Sequence, residues 1–188
     1  MPLSPRFHEA LSYAALLHAE QQRKVSGEPY VAHLLAVAAL VLEYGGNGDE
    51  AIAALLHDAV EDQGGLATLE EIRRRFGPTV ADIVDGCTDA AVMPKPPWRQ
   101  RKEAYIARLR CAPAAVRLVS AADKLHNVRA ILREYRRQGE SVWGHFRGGR
   151  DGTLWYYRAV VETLKQADHH PLVEELDRTV AEIESIVR

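Results

Sequence analysis

Cysteine is scarce in this 188-residue chain. There are only two, Cys87 and Cys111, and neither belongs to a Cys-x-x-Cys pair. This argues against a disulfide framework and against a structural zinc site, and it suits a reducing compartment. Long apolar runs are missing as well. The longest, Leu34 to Leu42, falls well short of the roughly 20 residues that a membrane-spanning helix needs. The N-terminus, MPLSPRFHEA, lacks the basic-then-apolar layout of a signal peptide. A cytoplasmic protein without a membrane partner is therefore expected. Neither sign of charge dominates: the formal charge of −2 gives no global drive toward nucleic acid, and no such partner is expected. No internal repeat, low-complexity tract or interdomain linker interrupts the chain, and no segment combines alternating polarity with β-branched residues, so strands are not expected.

What is there is helical periodicity in an ordinary globular composition, with 47% hydrophobic and 27% charged residues. Ser4-Pro5 reads as a cap and first helical position, opening a helix to about Gln22. A second helix follows the Ser26–Pro29 break, from near Tyr30 to Tyr44. After the Gly45–Gly48 turn, a third runs from Asp49 to about Val60. Thr68-x-x-Glu71 resembles a capping box for a short helix to Phe76, and Gly77-Pro78 restarts the chain through about Cys87. A proline-rich loop, Ala90 to Trp98, precedes a basic helix from Trp98 to Arg110, and Pro113 opens a long helix through about Arg137. Gly144 to Gly152 reads as loop, and two last helices split at His169-His170-Pro171. The expectation is an all-α, single-domain helical bundle of roughly eight to ten helices over residues 1–188.

Against this background one stretch stands out. His57-Asp58 is followed three residues later by Glu61-Asp62, directly after an apolar run. Burying four ionisable groups without a partner is costly, and a divalent metal is the simplest partner that reconciles them. One imidazole and one carboxylate make a mixed N/O ligand pair. Glu61 and Asp62, one turn further on, are placed for acid/base work on water at such a site. Two ligands make a weak site, so further donors are needed. His33 sits at a core-facing edge early in its helix; by itself it reads first as a buried histidine bonded to a carbonyl, and as a ligand only alongside the other donors. Asp123 interrupts the apolar run of the long helix, where a salt bridge to Arg117 or Arg129 is the structural explanation and an expensive one. Together His33, His57, Asp58 and Asp123 offer an N/O site for Mn²⁺, Fe²⁺ or Zn²⁺.

Three ordered motifs carry a resemblance: Arg23-Lys24-Val25-Ser26-Gly27-Glu28-Pro29-Tyr30-Val31-Ala32-His33, His57-Asp58-Ala59-Val60-Glu61-Asp62, and Ala122-Asp123-Lys124-Leu125-His126-Asn127. Over at least residues 5–130 the chain resembles the hydrolase domain of RelA/SpoT proteins, a branch of the HD-domain metal-dependent phosphohydrolases. It is most similar to the stand-alone small alarmone hydrolases, a likeness that includes the Trp155-Tyr156-Tyr157-Arg158 segment, with residues 131–188 expected to complete the substrate site. The resemblance implies Mn²⁺ held by His33, His57, Asp58 and Asp123. It implies Glu61 and Asp62 as the catalytic acidic pair, and Arg23, Lys24, Lys124, Asn127, Arg150 and Tyr156 as nucleotide contacts. The implied reaction removes the 3′-pyrophosphate of ppGpp or pppGpp, giving GDP or GTP and pyrophosphate. Two departures from the family pattern, Leu34, which alters the helix start, and Cys87-Thr88-Asp89, together with the distinctive Ala90–Trp98 loop, leave the metal site intact and open the substrate choice, and the same chemistry on ppApp or pppApp is an alternative. A generic HD nucleotide phosphohydrolase and an idle nucleotide-binding module are the further alternatives. Arg99, Arg101, Lys102, Arg108 and Arg110 read as a solvated basic face, and Asp82, Asp85 and Asp89 as a solvated acidic stripe.

Overall fold

The computed structural model describes residues 4–90, 94–167 and 169–187. Ala91–Met93, within the expected proline-rich loop, lie outside the described residues. The described chain is all-α, with helices α1 (Pro5–Leu17), α2 (Val31–Glu43), α3 (Gly48–Leu56), α4 (Ala59–Asp62), α5 (Gly65–Phe76), α6 (Pro78–Cys87), α7 (Trp98–Arg110), α8 (Ala114–Gln138), α9 (Gly149–Ala167) and α10 (Pro171–Ile186). A 3-10 helix, Gly139–His145, joins α8 to α9. No described helix is long and apolar enough to cross a membrane.

The central layer consists of α2, α3 and the long α8, which pack on one another; α6 lies against α3 and α8, and α10 against α8 and α9. Burial follows the helical stripes read from the sequence. Leu34, Val37 and Val41 of α2, Ile52, Leu55 and Leu56 of α3, and Val119, Ala122 and Leu125 of α8 are essentially inaccessible to water. They belong to one continuous hydrophobic cluster that also takes in Val160, Leu164, Leu172 and Leu176 of the last two helices. Truncation at the heart of this layer has a definite cost. Leu55→Ala, which removes a fully buried side chain where α3 meets its neighbours, lowers unfolding free energy by about 2–5 kcal/mol in urea denaturation, whereas Leu35→Ala on the exposed face of α2 changes it by less than about 0.5 kcal/mol.

Several element ends differ from the sequence reading, each for a local reason. The first helix stops at Leu17 rather than Gln22, because His18 turns inward and the chain doubles back, with Gln22 pairing Pro29 in an isolated antiparallel bridge. The capping box is at Asn47, not Thr68. The Asn47 side chain accepts from the amides of Asp49 and Glu50 at 2.9 and 3.1 Å, and Glu50 accepts from the Asn47 amide at 2.7 Å. Thr68 is buried inside α5, its hydroxyl donating to the Gln63 carbonyl at 2.8 Å. The expected loop at 144–152 is helical from Gly149, and Gly148 lies so close to the Trp98 ring that a Cβ there would sit 2.6 Å from it. Most important for function, the expected helix 49–60 is broken. α3 ends at Leu56, His57 and Asp58 form a turn, and α4 begins at Ala59.

Candidate metal centre and nucleotide cavity

In an unbroken helix, neighbouring residues point about 100° apart, so His57 and Asp58 would not meet at one point. The turn between α3 and α4 removes this conflict: His57 Nε2 and Asp58 Oδ2 stand 3.0 Å apart. His33, from the first turn of α2, brings its Nε2 to 3.5 Å from Asp58 Oδ2 and 3.3 Å from Asp123 Oδ1 in the middle of α8. His57 Nε2 lies 3.6 Å from Asp123 Oδ1. These separations are the edges of a coordination polyhedron, because ligands about 2.0–2.2 Å from a metal at right or tetrahedral angles are about 3–3.6 Å from each other. Three of the residues, His33, His57 and Asp58, each place a donor atom within 4.8 Å of the others.

The hydrogen bonding of both rings suits an ion. His57 Nδ1 is 2.8 Å from the Ala54 carbonyl oxygen and donates to it, and His33 Nδ1 lies 2.7 Å from Nδ1 of His126. Burial, together with the charges around it, pushes the His126 pKa down to about 4, so His126 is neutral and can accept from His33. Each ring thus has its Nδ1 engaged, and both Nε2 atoms are buried without any hydrogen-bond partner. Orphaned imidazole nitrogens facing carboxylate oxygens fit a divalent metal, as the grouping of His33, His57 and Asp58 does. The electrostatics agree. Burial opposes charge on His57, but the carboxylates of Asp58 and Asp123 outweigh it and raise the His57 pKa well above its usual value. The pair of carboxylates calls for positive charge between them, and a divalent cation meets that demand.

Outer contacts fix the two carboxylates. Asp58 Oδ2 accepts from the Tyr30 hydroxyl at 2.7 Å; burial and the Asp58 charge push the Tyr30 pKa up, which keeps that hydroxyl a donor. Asp123 accepts from Lys124 Nζ and from the Asn127 amide, and Asn127 in turn accepts from Arg23 at 2.7 Å. Arg117 and Arg129, the partners considered from sequence for Asp123, instead bond the Ala112 carbonyl and Glu175. His126 escaped the sequence reading, although it stands within the third motif. Its signal was a histidine three residues after Asp123, hence on nearly the same helical face. His126→Ala removes the partner that orients His33 and lowers metal affinity about 10–100-fold in a chelator competition titration.

The centre opens into a cavity of about 550 Å³. Glu61 and Asp62 of α4 line it, with Glu61 bonded to Lys95 Nζ at 2.9 Å and Asp62 to Gln21 Nε2 at 2.8 Å. Arg23, Lys24, Lys124, Asn127 and Tyr156 line it too. Arg150 does not. It is solvent-exposed and paired with Asp151 at 2.8 Å, because it faces outward from the first turn of α9; Arg147, three residues earlier, is the basic residue of that segment in the cavity wall. The solvated basic face also needs correction: Arg101 is buried and Lys102 reaches the cavity, both held by Asp89. Asp89 is accordingly no part of a solvated stripe, since its side chain is only 6% exposed. Cys87 is in the cavity wall, where burial raises its thiol pKa to about 11 and keeps it protonated.

A family profile described as HD domain matches residues 10–154 of the chain, three quarters of its length and all four converging donors. The chain belongs to the HD domain family. Among curated relatives of this HD protein, guanosine-3′,5′-bis(diphosphate) 3′-pyrophosphohydrolase MESH1 of Xenopus tropicalis is 40% identical over 128 residues, covering 66% of this chain and 69% of the relative. The protein of the same description from Drosophila melanogaster is 33% identical over 165 residues, covering 86% of each chain. A solved structure described as a metazoan ortholog of SpoT that hydrolyzes ppGpp superposes with a TM-score of 0.82 at 28% identity, over 97% of this HD domain chain and 98% of that one.

Proposed function

We propose that this HD domain protein hydrolyses the 3′-pyrophosphate of guanosine alarmones, converting ppGpp or pppGpp to GDP or GTP and pyrophosphate. The observation that carries the proposal is the pair of orphaned imidazole Nε2 atoms facing Asp58 and Asp123 at the floor of a cavity walled by basic residues. The names of the two curated relatives and of the solved structure support the choice of substrate.

His33, His57, Asp58 and Asp123 would hold one divalent cation, for which Mn²⁺ suits the two-nitrogen, two-oxygen donor set. When bound, the cation supplies Lewis-acid charge neutralisation at the attacked phosphorus and an acidified water. The other roles fall to the chain's own side chains. Glu61 and Asp62 line the cavity one turn beyond Asp58, where they orient the attacking water and carry protons between it and the departing ribose oxygen. Arg23, Lys24 and Asn127 form one wall, in which the Arg23–Asn127–Asp123 chain ties nucleoside contacts to the metal end. Tyr156 and Tyr157, with Phe146, bring aromatic surface from the C-terminal part of the chain to the cavity wall.

The test is a substrate panel with product identification. With Mn²⁺ added, ppGpp yields GDP and pyrophosphate. Release of inorganic phosphate instead would make the protein a generic nucleotide phosphohydrolase, and cleavage of ppApp alone would move the assignment to the adenosine series.

A further inference from the structure

Besides Arg23, Lys24 and Arg147, four cations line the cavity, Lys95, Arg101, Lys102 and Lys124. Lys95 Nζ lies 2.9 Å from Glu61, and Arg101 lies 3.8 Å from the same oxygen. Asp89 holds Arg101 at 2.5 Å and Lys102 at 2.8 Å, and Lys124 is bonded to Asp123. Arg101 is 9% exposed and Lys102 19%, so this is not a solvated face. Lys102 of α7 and Lys124 of α8 each reach an aromatic ring, Lys102 Nζ 4.7 Å from the Tyr156 ring centre and Lys124 Nζ 5.0 Å from that of Tyr105. Burial and the Lys124 charge together hold the Lys102 pKa below its usual value, the signature of cations pressed together.

Such an arrangement is unfavourable unless an anion joins it. With a divalent ion neutralising Asp58 and Asp123, the four cations face only Glu61 and Asp89 among the described residues that contact them. The wall then carries an excess of positive charge. It adjoins the reacting centre through Glu61 and through Lys124 beside Asp123, which places an anion received there next to the attacked phosphorus, where a 3′-diphosphate carries its terminal phosphate. In the proposed reaction water attacks the phosphorus attached to the ribose 3′ oxygen and the P–O3′ bond breaks. The 3′ oxygen takes up a proton, and both phosphates depart as pyrophosphate carrying the oxygen of the water.

We infer that Lys95, Arg101 and Lys102 form a subsite for the terminal phosphate of a 3′-diphosphate, selecting diphosphate over monophosphate and retaining product pyrophosphate. The inference rests on the proposed alarmone reaction. It gives Arg101 and Lys102, read from the sequence as part of a solvated face, a direct contact with substrate. Asp89 is the positioning residue that holds two of them in place.

Two measurements on the full chain test this, with Lys102→Met and, as a variant in the loop that leaves helix packing untouched, Lys95→Ala. In calorimetric titration with inorganic pyrophosphate, each variant binds about tenfold or more weakly than the parent protein, as expected for loss of a charged hydrogen bond. In kinetics with Mn²⁺, kcat/KM for guanosine 3′,5′-bis(diphosphate) falls by a similar factor in both variants, and in Lys102→Met, whose parent side chain is bonded to Asp89 rather than to Glu61, that for the 3′-monophosphate, 5′-diphosphate analogue changes less than about threefold. Equal losses on both substrates in Lys102→Met, or unchanged pyrophosphate affinity in both variants, would overturn the subsite. If the parent protein binds pyrophosphate through Lys102 and Lys95 but cleaves no bis(diphosphate), the subsite stands and the reaction assignment falls.

Discussion

Asp58→Asn and Asp123→Asn each reduce bound metal from about one ion per chain to background and lower alarmone turnover by at least about a thousandfold. That magnitude follows from losing several kcal/mol of charge stabilisation at the attacked phosphorus, at about 1.4 kcal/mol per tenfold in rate. Both carboxylates face both imidazole Nε2 atoms at 3.0–3.6 Å. Neither loss can be made up by the other residue, because the remaining carboxylate and two neutral rings leave a divalent cation half neutralised. Asparagine is the informative replacement. It keeps an oxygen for the Tyr30 hydroxyl beside residue 58 and for the Asn127 amide beside residue 123. Alanine at these positions would leave those half-buried donors without their protein partner, at a cost of up to about 1–3 kcal/mol each. Metal content by elemental analysis and a thermal melt separate the two effects: metal disappears while the apo melting temperature stays within a few degrees. Retention of a full metal complement in Asp123→Asn would remove α8 from the centre.

The double variant Glu61→Gln with Asp62→Asn keeps metal and fold but loses turnover by about 10²–10⁴-fold, the usual range for removal of general acid/base groups. Neither side chain approaches the imidazole nitrogens in the way Asp58 and Asp123 do. Glu61 is bonded to Lys95 and Asp62 to Gln21, both at the cavity surface. Their removal should therefore leave metal affinity within a few-fold of the parent. KM also separates two kinds of role. Loss of proton transfer lowers kcat with little change in KM, whereas loss of a purely electrostatic link through Lys95 raises KM. Full activity in the double variant would exclude the pair from the chemistry.

The sequence made much of this protein legible, and for identifiable reasons. Helical periodicity and the breaks at Pro29, Gly77-Pro78 and Pro113 place α2, α6, α7 and α8 within a residue or two at both ends, and Pro171 places the start of α10, since proline and glycine act locally. Misplaced ends arose where a tertiary contact overrides a local signal. Thr68 has the right spacing for a cap, but its hydroxyl is claimed by the Gln63 carbonyl. The chain from 144 is glycine-rich, yet Gly148 and Gly152 are small because the Trp98 ring packs over them. The same limit governed the cavity. Lys102 and Asp89 look like surface charges in a one-dimensional reading, and only the approach of α7 to the segment after α6 buries them against each other. Arg150 lies outside the cavity for the converse reason: it sits in the first turn of α9, exposed and paired with Asp151, whereas the basic residue in the wall, Arg147, belongs to the turn before that helix.

Residue types and their order determined by themselves that this is an all-α chain with too few cysteines for a disulfide framework. They also supplied two histidines and two aspartates, spread over some ninety residues, as candidate ligands. The tertiary structure alone decided whether those four meet. Convergence depends on the break between α3 and α4 that turns His57 and Asp58 toward one point, and on the packing of α2 and α8 that carries His33 and Asp123 to it. Spacing along a chain limits which groups can share a helix face; only the packing of helices fixes distances between groups on different ones.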